Sequence, residues 1–343
     1  MRVVLTALIG AAALLGACKP AEKPAAAPES AQQELMTPAQ LAMFAPLPEA
    51  MPSPDNPMTP AKVDLGRRLY YETLLSEDHQ MSCNSCHSLT GYGVDNKRFS
   101  TGFKGQLGGR NAPTVYNAAA HVAQFWDGRA PTVEEQAKGP ILNPVEMAMP
   151  NSKEVLKHLR ADPTYVRMFK AAFPGQANPV TYDNLGRAIG AFERGLVTPA
   201  RWDSFLKGDR TALTTEEQIG LKAFVTTGCA ACHNGPYMGG TAFQKAGVVQ
   251  PWPDQADKGR EAVTGFKADE MMFKVASLRN IEKTGPYFHD GAVADLAEAV
   301  NWMGKYQLGR DLKPDEVKAI VAYLKTLTGT IPTEYIAPPA RPN

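Results

Sequence analysis

Apolar residues recur along most of this chain at helical rather than alternating spacing. Thr59-Pro60 supplies an N-cap and a first-turn proline, and Val63, Leu65-Gly66 and Leu69-Tyr70 follow. Thr214-Thr215-Glu216-Glu217 gives a second start with the spacing of a capping box, followed by Ile219-Gly220 and Ala223-Phe224. Each half then closes with a helix: Leu185, Ile189, Phe192 and Leu196 in one, and Val317, Ile320, Val321, Leu324 and Leu327 after Pro314 in the other. Aligning Gly66 with Gly220 gives a weak internal repeat. A glycine at that place would let the crossing helix approach closely. Strand signals are sparse. The pattern predicts two mainly α-helical halves, divided near Lys207 to Leu213.

The N-terminus breaks this pattern. Arg2, the apolar run Val3 to Leu14 and the box Leu15-Gly16-Ala17-Cys18 read as a bacterial lipoprotein signal cleaved before Cys18. The run is shorter than the ~20 apolar residues of a comfortable transmembrane span. An ordinary secretory signal with an incidental cysteine is the alternative, and it too exports the chain. Residues 19–60 are rich in Ala and Pro, with Pro20, Pro24, Pro28, Pro46, Pro48, Pro52 and Pro54. They are expected to form a semi-extended tether, of which 34–44 can pack onto the body. The formal net charge of +1 gives no basic field for nucleic acid and no one-signed docking surface. The expected organisation is a signal at 1–18, a tether at 19–60, domains at 61–208 and 209–330, and a tail at 331–343.

Chemistry enters with the cysteines. Four of the five form two Cys-x-x-Cys-His elements, Cys83-Asn-Ser-Cys86-His87 and Cys229-Ala-Ala-Cys232-His233. In each, two thiols can add across the vinyl groups of a haem while the next imidazole binds the iron. Paired Cys-x-x-Cys elements also build zinc ribbons, but there the pairs lie close in sequence and need no histidine after each. Redox disulfides are a third use of such pairs. A helix before each haem motif and a later helix across it is the class I cytochrome c plan. The fold class expected is therefore mainly α, with two class I cytochrome c-like domains, each holding one covalent haem c.

Further segments narrow the choice. Gly108-Gly109-Arg110-Asn111-Ala112-Pro113-Thr114, Gln124-Phe125-Trp126-Asp127-Gly128-Arg129 and Glu135-Gln136-Ala137-Lys138-Gly139-Pro140 resemble bacterial dihaem cytochrome c peroxidases. So do Val145-Glu146-Met147, Gly285-Pro286-Tyr287-Phe288-His289-Asp290-Gly291 and Met303-Gly304, and the likeness runs from about Leu65 to Leu327. The resemblance implies that the N-terminal haem, on His87, is the peroxidatic site. The C-terminal haem, on His233, would take Met303 as second axial ligand, and a thioether suits a haem that accepts electrons. Met303 would otherwise be a packing methionine. The resemblance gives Glu146 the proton-transfer role and Gln136 a hydrogen bond to peroxide; read cold, both are surface residues. Trp126 matches a tryptophan between the haems, and His289 a histidine near a haem propionate. Asn111, through its side chain, and Thr284 and Pro286, through their carbonyls, match a Ca²⁺ site between the domains.

This chain departs from the pattern at one place. Many of these peroxidases carry a histidine that caps the peroxidatic iron in the oxidised enzyme and leaves when the other haem is reduced. By alignment that place is Phe103, and no histidine lies between His87 and His121. Phenylalanine has no lone pair to give a metal. The expectation is a hydrogen peroxide reductase that needs no reductive activation, fed by a small cytochrome c or blue-copper protein. Met147, Met149, His79 and His121 are the groups that could cap the iron instead. Two other functions compete: a dihaem electron carrier without catalysis, and a dihaem enzyme oxidising a partner protein, whose relatives carry tyrosine where Met303 stands. Membrane contact is expected only through a lipid on Cys18. Relatives are often homodimers, and no residue here establishes that state.

Overall fold

The computed structural model describes residues 1–4 and 35–340. Cys18, most of the expected signal and residues 19–34 of the tether lie outside the described residues. From Leu35 on, the chain forms one compact unit.

Two helix crossings of the same kind organise that unit. Thr59 caps the Pro60–Tyr70 helix through Lys62 N, with proline in its first turn, and the Thr181-capped Tyr182–Glu193 helix crosses it. A Cβ on Gly66 would lie 1.8 Å from Ala188 O and 2.9 Å from Phe192 Cβ. In the other half, Thr214 and Glu217 form the expected capping box of the Thr215–Thr227 helix, and the Pro314–Lys325 helix crosses it. A Cβ on Gly220 would lie 1.9 Å from Ala319 O and 3.0 Å from Tyr323 Cβ. Each glycine thus meets an alanine carbonyl and an aromatic residue four positions on, so the sequence repeat is a repeat of packing. Both closing helices stop short of the expected apolar pattern: Leu196 and Leu327 are fully buried but lie just beyond the helix ends.

Each crossing carries its own core. Leu65, Leu69, Tyr70, Leu185, Ile189 and Phe192 belong to the first, and Leu221, Phe224, Ile320, Tyr323 and Leu324 to the second. Trp202 and Phe205 lie before the expected division near residues 207–213, yet they pack into the second core. The tail crosses back to the first: Ile336 is buried there and Tyr335 stacks on Phe192 with ring centroids 5.3 Å apart. Strands are few, as expected. Among the described residues one antiparallel pair forms, Phe243–Lys245 with Met272–Lys274.

The stretch expected to pack onto the body does so, and the packing runs on past residue 44 into what was expected to be tether. Met36 and Phe44 join the second core, and Leu47 and Met51 pack against Ala119 and Val197. Three polar anchors hold this stretch: Leu47 N donates to Asp203 Oδ1, Met51 N to Arg194 O, and Asn56 Nδ2 to Glu134 Oε1. Proline-rich chain can pack when its few apolar side chains each find a site and its N–H groups find fixed acceptors.

Candidate functional site

Each Cys-x-x-Cys-His element follows the first helix of its crossing. In the first, a single helical turn, Cys83–Cys86, ends at His87. Both thiols are unpaired, and burial pushes Cys83 up to about 12, with Glu193 adding to the rise. The His87 ring nitrogen Nδ1 lies 3.2 Å from Gly93 O. Donation there commits Nδ1–H and leaves Nε2 with its lone pair free for a metal. Burial lowers the pKa of His87 and keeps the ring neutral.

The second element repeats this chemistry. Cys229 opens a short 3-10 turn, Cys229–Ala231, and Cys232 closes it, while His233 Nδ1 lies 3.1 Å from Ala276 O and 3.3 Å from Met238 O. Burial again lowers the histidine pKa. Cys229, Cys232 and His233 open on a cavity whose wall also carries Met303 and His289. Met303 begins a π-helical turn, Met303–Gln307, that continues the Leu296–Trp302 helix. It packs with Trp252, Met271 and Phe273.

Gln136 and Glu146 belong to one folded unit. Gln136 is on the Val133–Leu142 helix, capped by Thr132, and Glu146 is in the loop that turns back beneath it. Glu146 N donates to Asn143 O and Asn143 Nδ2 donates to Glu146 Oε1 at 3.0 Å, which fixes the carboxylate. Burial raises the Glu146 pKa, while the Arg129 guanidinium and the Asn143 bond oppose the rise. The segment carrying Phe103 is docked on this loop. Phe103 N donates to Glu146 O at 2.8 Å, and Gln106 Nε2 donates to Pro144 O. A Cβ on Gly102 would lie 1.9 Å from Val145 O, so only glycine permits this approach.

The remaining residues meet between the two elements. Trp126 Nε1 donates to Asn111 O at 2.9 Å, and Asn111 N donates to His289 O at 2.8 Å. Asn111, Thr284 and Pro286 all line the His233 cavity. Asn111 Nδ2 donates to Lys97 O, which commits the amide nitrogen and leaves the carbonyl oxygen as a hard ligand. His289 is buried, and its ring stacks on Phe273 at 4.0 Å. Sequence reading missed an ionic chain beside them: Arg110 bridges Asp257 and Asp127, and Asp127 also binds Arg129. Arg110, Asp127 and Arg129 sit inside motifs that sequence singles out, whereas Asp257 carries no signal. It missed Lys274 too, whose surroundings only the fold assembles.

The donor sets fit two covalent haems. Each element offers two free thiols and an imidazole with one nitrogen committed to a backbone carbonyl. The His233 cavity is walled by Phe224, Trp252, Phe273, Val300, Ile320 and Leu324. It also carries two buried N–H groups without a partner, His121 Nε2 and Trp252 Nε1. An apolar cleft with orphaned donors suits a flat macrocycle with acidic edges. Among the described residues no three or more His, Cys, Asp and Glu side chains gather as a metal site, so the two cysteine pairs share no zinc site.

Comparison with known proteins agrees with this geometry. Residues 60–211 match the family described as di-haem cytochrome c peroxidase, and residues 218–328 match cytochrome c. The cytochrome c551 peroxidase of Pseudomonas aeruginosa is 46% identical over 307 residues, covering 87% of this chain and 88% of its own. That of Nitrosomonas europaea is 47% identical over 285 residues, covering 81% and 84%. A solved structure of a MauG-like protein associated with microbial copper homeostasis aligns with a TM-score of 0.76 at 30% identity, covering 85% of this chain and 95% of that one.

Proposed function

The chain belongs to the di-haem cytochrome c peroxidase family, and on that premise we propose a periplasmic enzyme that reduces hydrogen peroxide without prior reductive activation. Hydrogen peroxide takes up two electrons and two protons and leaves as two waters. The electrons come singly from a small cytochrome c or a blue-copper protein. A lipid on Cys18 holds the protein at a membrane. The division of labour follows residues 61–208 for peroxide and 209–330 for electron entry.

When bound, the haem at His87 supplies the iron at which peroxide is reduced and the haem at His233 supplies the store that replenishes it. The protein's own residues do the rest. Cys83, Cys86 and His87 hold one group; Cys229, Cys232, His233 and Met303 hold the other. Glu146 takes a proton from one peroxide oxygen and returns it to the other, so that the leaving group departs as water rather than hydroxide. Its raised pKa makes it a better base than a free carboxylate. Gln136 donates to the peroxide and orients it. Trp126 offers an oxidisable ring between the two sites, and its bond to Asn111 fixes that ring. Asn111, Thr284 and Pro286 bind Ca²⁺ at the same junction.

The observation that carries the activation-free reading is the docking of Phe103 on the Glu146 backbone. The residue at the capping position cannot ligate, and its segment is held against the catalytic loop. The other groups that could cap the iron have occupations of their own. Met147 and Met149 are buried in the first core, His79 lies edge-on to His158, and His121 lines the His233 cavity. The test is peroxide-dependent oxidation of a ferrous small cytochrome c. Glu146→Gln should lose about 10²–10⁴-fold in turnover while keeping both haems. Wild-type rates in that variant would remove Glu146 from the mechanism.

A further inference from the structure

Lys274 and His121, 153 residues apart in sequence, meet on the wall of the His233 cavity. Lys274 ends the Met272–Lys274 strand with its side chain buried. Its Nζ donates to Ala123 O at 2.8 Å and lies 3.4 Å from His121 Nδ1. Burial alone shifts its pKa, down to about 8, with no acidic neighbour to offset it. A buried ammonium with only a carbonyl and an imidazole beside it calls for an anion.

The histidine points to the same requirement. Accepting from Lys274 at Nδ1 places the ring proton of neutral His121 on Nε2. Burial, and then Lys274, hold the ring in that neutral form. Yet Nε2 is buried and has no partner. The ring is fixed in place: a Cβ on Gly240 would lie 2.3 Å from His121 Cδ2, and Tyr237 meets the ring edge-on at 5.7 Å. One rigid N–H donor and one uncompensated cation thus face a cavity that also presents Cys229, Cys232, His233 and Met303.

We infer that His121 and Lys274 form a carboxylate site for a propionate of the haem held by Cys229 and Cys232. His121 Nε2–H donates to the carboxylate, and Lys274 supplies the counter-charge. The inference rests on the haem reading of this cavity. Its consequence is electronic: a fixed cation at the edge of the macrocycle favours the reduced iron, so Lys274 raises the potential of the electron-accepting haem. His121 and Lys274 are positioning residues and touch no peroxide.

The test uses the holoenzyme and reads potentials rather than turnover. Haem content is counted first, since fewer than two haems per chain would defeat the haem reading itself. Spectroelectrochemical titration then compares wild type with Lys274→Met and Lys274→Arg. Lys274→Met should lower the midpoint potential of the His233 haem alone, with the methionine-to-iron charge-transfer band retained, and Lys274→Arg should restore the potential. A second readout is resonance Raman of His121→Phe against His121→Gln, where loss of the donor should shift the propionate bending bands in the phenylalanine variant and less in the glutamine variant. An unmoved potential in Lys274→Met with full haem content, or unmoved propionate bands in His121→Phe, would overturn the assignment.

Discussion

At the scale of single residues, the proposed start without reductive activation turns on Phe103. A benzyl ring cannot bind iron, so the site on His87 opens or closes according to whatever else its loop can offer. Phe103→His therefore restores a ligand at a place where the backbone already holds the segment. On the proposed reading the oxidised wild type holds a high-spin haem at His87, and the variant should lose that signal and show a lag in turnover that prior reduction removes. A variant that stays high-spin and turns over at once would mean that residue 103 does not reach the iron.

Glu193 is a second residue with measurable consequences. It is buried beside the first haem motif, and burial, with Glu134 adding, raises its pKa from 4.5 to about 8, while Arg194 opposes the rise. The folded protein therefore binds this proton more tightly than the unfolded chain does. The stability it contributes is full below pH 4.5 and is lost as pH rises to about 8. The loss is on the order of 1 kcal/mol per pH unit within that window. Glu193→Gln should flatten the decline, and parallel denaturation curves for variant and wild type across that range would refute the assignment.

At the scale of elements, the two glycine crossings set how near each closing helix can come to its haem motif. Gly66→Ala and Gly220→Ala each place a methyl group inside van der Waals contact of a backbone carbonyl. Overpacking of this kind costs about 1–3 kcal/mol, and more where backbone must move. Chemical denaturation should show that loss in both variants. Gly66→Ala should disturb the His87 spectrum and Gly220→Ala the His233 spectrum.

These crossings were legible in sequence because caps, a first-turn proline and i,i+4 apolar spacing are local signals. The haem motifs were legible for the same reason. The packing of residues 34–44 was expected, but that of 45–60 was not, since the partners of Leu47 and Met51 are Asp203 and Arg194, far along the chain, and proline-rich composition points the other way. Lys274 was invisible too: in sequence it is one charge among 36 lysines and arginines, and only the strand pairing and the approach of His121 make it unusual. The tail and Trp202 crossed the expected boundaries because each core recruits aromatic residues from the neighbouring connection.

At the scale of the whole molecule, short polar links run between the two halves alongside apolar contacts such as those of Tyr237 with Ala119 and Val197. Trp126 bonds Asn111, Asn111 bonds His289, and Arg110 ties Asp127 of one half to Asp257 of the other. Asn280 and Asn117 both bond Thr198 Oγ1 at the connection between the cores. Such a junction is directional, and it fixes the indole of Trp126 through its bond to Asn111 O. It also makes the order of events a property of the assembled protein. In the proposed order, electrons enter at the His233 side, while the His87 side stands ready for peroxide before they arrive.

The central claim is that readiness, and one measurement tests it most directly. A trace of fully oxidised protein is mixed with peroxide and a ferrous small cytochrome c, beside an identical sample already reduced at the His233 haem. Immediate and equal turnover in both is the predicted result. A lag or silence confined to the oxidised sample would contradict it, because some ligand would then be closing the iron that Phe103 cannot.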